Sequence, residues 1–113
     1  MKKIIVTGGT GKPKRQQLFV RDLVKIIPML LNGHDSSIPL IIAPDENLNI
    51  EEMIKISLQL IKKDVNIVFN GKLDGQFRKD GLNKQFKNTF KHYNFTPFEK
   101  GLAKTIEWYK ENY

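Results

Sequence analysis

Hydrophobic and polar positions alternate between two periods along the chain, and the switches between them mark out the elements. KIIVT, residues 3–7, is a short apolar run that predicts a strand, and the glycines behind it predict a turn. A second extended piece is expected over 17–20. Asp22 stands where it can cap a helix running to about Leu31, with Pro28 inside as a kink or early end and Asn32-Gly33 as the stop. IPLIIA, residues 38–43, is an unbroken apolar run closed by Pro44-Asp45 and predicts a buried strand. The clearest periodic signal follows. Asn49 and Glu52 have the spacing of a capping box, and Ile50, Met53, Ile54, Leu58 and Ile61 recur at helical intervals, so this stripe is a core face rather than a cofactor box.

The second half repeats the alternation. Residues 65–69 predict a strand, 70–82 a polar loop containing glycine, and 83–90 a short helix. Thr96-Pro97-Phe98-Glu99 supplies a cap, a proline at the first helical position and a glutamate three after the cap. That helix should reach about Asn112 and bury Phe98, Leu102, Ile106 and Tyr109. Gly101 inside it costs about 1 kcal/mol against alanine, which asks for a packing reason. Strands alternating with helices predict an α/β fold: one domain over residues 1–113, built on a small, open, mainly parallel sheet with helices.

Composition narrows the chemistry. The 113 residues include no cysteine, which removes disulfides, thiolate metal sites and a cysteine nucleophile. No apolar run approaches the roughly 20 residues of a membrane helix, and the Met-Lys-Lys start lacks a signal-type apolar stretch. The expectation is a cytoplasmic, soluble domain that meets no membrane. The formal net charge of +7 is unevenly spread. Up to residue 25, Lys2, Lys3, Lys12, Lys14, Arg15, Arg21 and Lys25 face Asp22 alone. Residues 70–91 add Lys72, Arg78, Lys79, Lys84, Lys87 and Lys91 against Asp74 and Asp80. Surface lysines are commonly just solvated, but two separated basic segments can also converge on a phosphate-bearing ligand or on nucleic acid.

The opening turn, VTGGTGKPKRQ, invites comparison with phosphate motifs. A dinucleotide turn of the form T-G-x-x-G-x-x-G is matched by Thr7, Gly8 and Gly11, but Lys14 occupies the last glycine position, where a helix must pack closely on its strand. Pro13 and the polar residues after it offer no apolar helix face. The P-loop pattern fails as well, with Val6 at its first glycine and Pro13 where Ser or Thr belongs. What remains is a glycine-rich turn with a basic rim, suited to an anion without specifying one. His34 and His92 are far apart and lack ligand-spaced partners. A Tyr-x-x-x-Lys pair is absent, since Pro97 follows Tyr93 and Tyr113 follows Tyr109 at that spacing. No catalytic constellation stands out.

Four segments carry a resemblance. GTGKPKRQQLFVRDLVKII resembles the start of the substrate domain of extended short-chain dehydrogenases acting on nucleotide sugars, and IPLIIAPDENLNIEEMIKI looks like the strand, turn and helix that follow there. FNGKLDGQFRKDGLN resembles the DGxxRK-type loop of GDP-L-fucose synthases. NFTPFEKGLAKTIEWYKENY is similar to that family's C-terminal helix. The resemblance covers about residues 4–113, and the DGQFRK loop is its most specific part. It implies that Arg15 and Lys79 contact the GDP moiety of a GDP-sugar, with Asp74 and Arg78 as further candidates in the same loop and Lys12 and Lys14 as rim charges. An arginine fork and a lysine from two loops suit a diphosphate; for Asp74 and Arg78 simple surface ion pairing is the competing reading.

Two departures qualify the resemblance. Gly8 stands where the family often has a bulky residue, frequently tryptophan. The family's N-terminal Rossmann domain, which carries the NADP site and the epimerising and reducing residues, has no counterpart in these 113 residues. The resemblance therefore implies GDP-sugar binding without catalysis, with NADP a cofactor of the full-length family rather than of this chain. A separate Rossmann-domain chain and a homodimer are the expected further partners. The alternatives are a nucleic-acid module, with Phe19, Phe77, Phe86, Phe90 and Tyr93 interleaved among cations, and a remnant without ligand.

Overall fold

The computed structural model describes residues 3–6 and 9–113. The expected strand end at Thr7 and the readings placed on Thr7 and Gly8 lie outside the described residues. In chain order the elements are β1 (Lys3–Val6), β2 (Lys14–Arg15), α1 (Val20–Gly33), β3 (Leu48–Asn49), α2 (Ile50–Ile61), β4 (Asn66–Phe69), β5 (Arg78–Lys79), α3 (Lys84–Thr89) and α4 (Phe98–Asn112).

The α/β class holds, but the single, mainly parallel sheet does not. The strands form two small sheets. β1 pairs β4 in parallel, and β2 lies between β3 and β5, antiparallel to the first and parallel to the second. The division follows from the turn. Gly11 adopts φ +82°, in the left-handed region, and a Cβ there would come within 2.5 Å of the Phe69 ring. The chain reverses against Phe69 and leaves the β1 sheet for the second one. The extended piece expected over 17–20 is accordingly displaced to Lys14–Arg15, and residues 16–19 are irregular.

IPLIIA is not a strand. Pro39 lacks a ladder donor, and Ile38 and Ile41 are 61% and 48% exposed. Side chains hold the carbonyls at its end instead: Asn83 Nδ2 donates to Ala43 O at 2.8 Å, and Gln16 Nε2 to O of the following Pro44 at 2.7 Å.

The helices divide by how local their signals were. α2 starts as its capping box dictates, with Glu52 N donating to Asn49 Oδ1 at 2.7 Å and Asn49 N to Glu52 Oε2 at 2.8 Å. Its apolar stripe is only half-buried, and Ile61 is exposed. α1 continues through Pro28 to Gly33 without shortening. Pro28 leaves the Val24 carbonyl without its helical donor, and Val24 is exposed, so water can take that place.

Two caps are corrected. Asp22 does not cap α1; it is 3% exposed and ties the helix's first turn to the far end of the chain. Tyr93 Oη (2.7 Å) and Thr96 Oγ1 (2.9 Å) donate to its Oδ1, and Thr96 N (2.9 Å) to its Oδ2. Thr96 is thereby taken from α4, whose first free donor, Phe98 N, goes to Glu46 Oε1 at 2.7 Å. Burial, then the bond to Asp22, raises the Tyr93 phenol above its ordinary value. Along α4 Phe98, Leu102 and Ile106 are half-buried, but Tyr109 is 60% exposed, stacked on Tyr113. Gly101 has the expected packing reason: a Cβ would stand 3.1 Å from the Phe19 ring.

Phe86 centres the core, with the rings of Phe90, Tyr93 and Phe95 at 5.2, 6.0 and 5.5 Å. Among the described residues Ile26 and Phe86 are the large side chains that are fully buried. The molecule is a slab of 54 × 36 × 20 Å. Its radius of gyration of 16.9 Å exceeds the roughly 13 Å expected of a compact chain of this length, so the core is thin.

Candidate functional site

Register brings the two first-ranked cations together. In the β2–β5 pair Lys14 stands opposite Arg78 and Arg15 opposite Lys79. Neighbouring strands lie about 4.8 Å apart, so residues 64 positions apart in sequence carry adjacent charges. The strand pair is held at its entry by Lys14 N donating to Phe77 O at 2.7 Å, and at its exit by Gly81 N donating to Gln16 Oε1 at 2.7 Å.

Their surroundings separate the four candidates. Arg15 is half-buried and uses Nη1 on Lys14 O (2.6 Å), with Phe77 O at 3.5 Å. Lys79 is exposed. Among the described residues neither has a carboxylate within salt-bridge distance. Arg78 does: its Nη2 is 2.6 Å from Asp80 Oδ2. Asp74 is also engaged, accepting from Thr10 N and Thr10 Oγ1, both at 2.7 Å. The Thr10 hydroxyl, then its amide, hold the Asp74 carboxyl below its ordinary value, with Lys12 adding a smaller attraction. Asp74 and Arg78 therefore have internal partners, whereas Arg15 and Lys79 keep charge to offer.

A cavity of about 280 Å³ lies at Arg15, walled with it by the glycine turn, Ile50 and Asp74; Lys79 is not part of its wall. The adjoining start of α2 offers it no free donors: Ile50 N goes to Pro13 O (3.2 Å), Glu51 N to Gly11 O (3.0 Å) and Glu52 N to Asn49. An anion here would meet side-chain cations rather than a helix terminus. Nor do these residues fit a dinucleotide's pyrophosphate, because the turn leads into strand β2 and not into a helix. Sequence reasoning missed Thr10 and Gln16, which brace the two loops. Their partners lie 64 and 65 residues away, beyond any local pattern.

The aromatic residues proposed as stacking platforms largely pack on one another. Phe86, Phe90 and Tyr93 share the core cluster, and Phe19 covers Gly101; Phe77 is 56% exposed.

No family model matches the sequence. Known structures nevertheless define a class. The chain superposes with a TM-score of 0.81 and 25% identity on dTDP-glucose 4,6-dehydratase from Bacillus anthracis, in complex with NAD, over 98% of this chain and 35% of that one. Its structural relatives are extended short-chain dehydrogenases, nicotinamide-nucleotide-binding epimerases and dehydratases. Within that class the chain is homologous to part of GDP-L-fucose synthase. It is 28% identical to the Naegleria fowleri enzyme, with a TM-score of 0.91 over 98% of this chain and 34% of that one, and that enzyme has also been solved bound to NADP. In sequence it is 31% identical to a Drosophila melanogaster protein named probable GDP-L-fucose synthase, over 98% of this chain and 36% of the relative. The chain spans about a third of the length of the curated relatives it matches.

Proposed function

We propose that this chain binds the diphosphate of a GDP-sugar, as the substrate-binding part of a GDP-L-fucose-synthase-like protein. The observation that carries this reading is the Arg15–Lys79 register pair, two cations without carboxylate partners among the described residues, of which Arg15 lines a cavity. Arg15 offers a planar fork to one phosphate and Lys79 a mobile point charge to the next. Asp74 acts through Thr10 by fixing the turn, and Arg78 is held in its ion pair with Asp80. Hydride transfer and epimerisation belong, on this reading, to the rest of such a protein, together with NADP. A Rossmann-type partner would then close over the sugar.

Titration of the chain with GDP and with guanosine, followed by amide shifts, tests the proposal. GDP should move the amides of residues 14–16 and 78–80 together, and guanosine should bind far more weakly. Arg15→Ala and Lys79→Ala should each weaken GDP binding about tenfold or more, as expected for charge-assisted hydrogen bonds. Shifts confined to other segments, or single-stranded DNA binding tighter than GDP at physiological salt, would overturn it. No shift with any nucleotide would favour a remnant without ligand.

A further inference from the structure

The ladder that sets Arg15 beside Lys79 is two residues long on each strand. Strands normally run to about five or six residues, so two rungs alone fix a register weakly. The end of the ladder shows what reinforces it. In a parallel pair, alternate residues of one strand donate N–H to the residue before their partner and accept from the residue after it. Lys14 follows that rule, its N donating to Phe77 O at 2.7 Å. Two residues on, the rule calls for Gly81 N to donate to the main-chain carbonyl of Gln16. It donates instead to the side-chain oxygen of that residue, Gln16 Oε1, at 2.7 Å.

The other half of the same amide is also engaged. Gln16 Nε2 donates to Pro44 O at 2.7 Å, on the segment that leads into β3 along the opposite side of β2. The carboxamide therefore does what a peptide unit does in the middle strand of a sheet: it accepts from one neighbour and donates to the other. Residue type follows from this double duty. An ionised glutamate could only accept, and would set a negative oxygen against the Pro44 carbonyl; methionine, of similar length, has no N–H to give.

Two neighbouring features confine the same stretch. Gly81 lies so close to the 38–43 segment that a Cβ would stand 2.9 Å from Ile41 Cγ2 and 3.0 Å from Ala43 Cβ. Asn47 Nδ2 donates to Asp80 Oδ1 at 2.6 Å. The two residues after Lys79 are thus each held by a carboxamide, Asp80 by Asn47 and Gly81 by Gln16. Of these bonds the Gln16 pair is part-buried, where water competes less well, and the Asn47 bond is exposed.

We propose that Gln16 is a positioning residue: its side-chain amide stands in for a peptide group and sets the register that brings Lys79 beside Arg15. It acts through Lys79 rather than on the ligand. Its effect on binding rests on the reading that this pair grips a diphosphate.

NMR of the full chain tests this. In the unmodified chain the Gly81 amide should resist hydrogen exchange as the Lys14 amide does, and cross-strand NOEs should link residues 14–15 to 78–79. Gln16→Met should abolish both while leaving the Phe86 ring signals in place. In GDP titrations Gln16→Met should weaken binding about tenfold. Adding Lys79→Ala to that variant should cost little more, whereas Lys79→Ala alone costs its full factor. A residue that merely stabilised the fold would leave the cost of Lys79→Ala unchanged. Free exchange of the Gly81 amide in the unmodified chain, NOEs that survive Gln16→Met, or an undiminished cost of Lys79→Ala in that background would each overturn the proposal. The exchange measurement needs no variant, so it decides the matter even if Gln16→Met misfolds. An unmodified chain that shows the NOEs and the protected amide but does not bind GDP would refute the diphosphate reading and leave the positioning role standing.

Discussion

Asp22 and Asp74 are both aspartates opposite a threonine, and their surroundings make them behave differently. Asp22 is enclosed and accepts three bonds, so Asp22→Ala strands the Tyr93 hydroxyl and the Thr96 amide. The expected loss is about 2–3 kcal/mol of stability, measurable as a shift in the urea midpoint. Asp74 clips the glycine turn from a more open position. Its folded carboxyl titrates below the ordinary value, as do those of Asp45, bonded by Lys87 and Asn83, and Asp80, bonded by Arg78. A depressed folded value means a contribution fully present above the unfolded value, near 3.8, and lost as pH falls through the folded one. Stability should therefore hold steady above about pH 5 and decline on acidification, and Asp74→Asn, which cannot titrate, should flatten that decline in urea titrations run across pH. The glycine turn itself was legible from its composition. The ring that makes Gly11 necessary was not, because Phe69 reaches it across 58 residues.

Among the elements, a local signal held where no distant partner competed for its groups, and failed where one did. The α2 capping box is complete within four residues, so sequence alone located it. The cap expected at Thr96 is equally well spaced but loses its hydroxyl to Asp22, a competitor no local pattern reveals. The two cases give a paired test by chemical denaturation. Asn49→Ala, at the cap of the box that forms, should cost about 1 kcal/mol, whereas Glu99→Ala, three residues after the expected cap of a box that does not form, should cost only a few tenths. IPLIIA shows the opposite failure. An apolar run needs a neighbouring strand as well as its own pattern, and among the described residues none pairs with it; Asn83 holds its last carbonyl, that of Ala43, instead.

For the whole molecule, the family resemblance was legible because four motifs kept their order; it implied a shared ligand for Arg15 and Lys79 but not the strand register that sets them side by side. The division into two small sheets and the thinness of the slab were not, since both depend on which face meets which neighbour. One outcome belongs to this scale. NADPH should show no saturable binding to the chain in the micromolar range by fluorescence, because a strand follows the turn.

The three bonds converging on Asp22 bear on how the chain is made. A polypeptide leaves the ribosome N-terminus first, and Asp22 emerges 71 and 74 residues ahead of Tyr93 and Thr96. Until those two appear, the carboxylate that anchors α1 has none of its three partners. Contacts this distant in sequence form slowly, so α1 stays exposed to aggregation through that stretch of synthesis. Translation stalled before Tyr93 should leave α1 protease-sensitive, and emergence of the segment carrying Tyr93 and Thr96 should abruptly confer resistance on it.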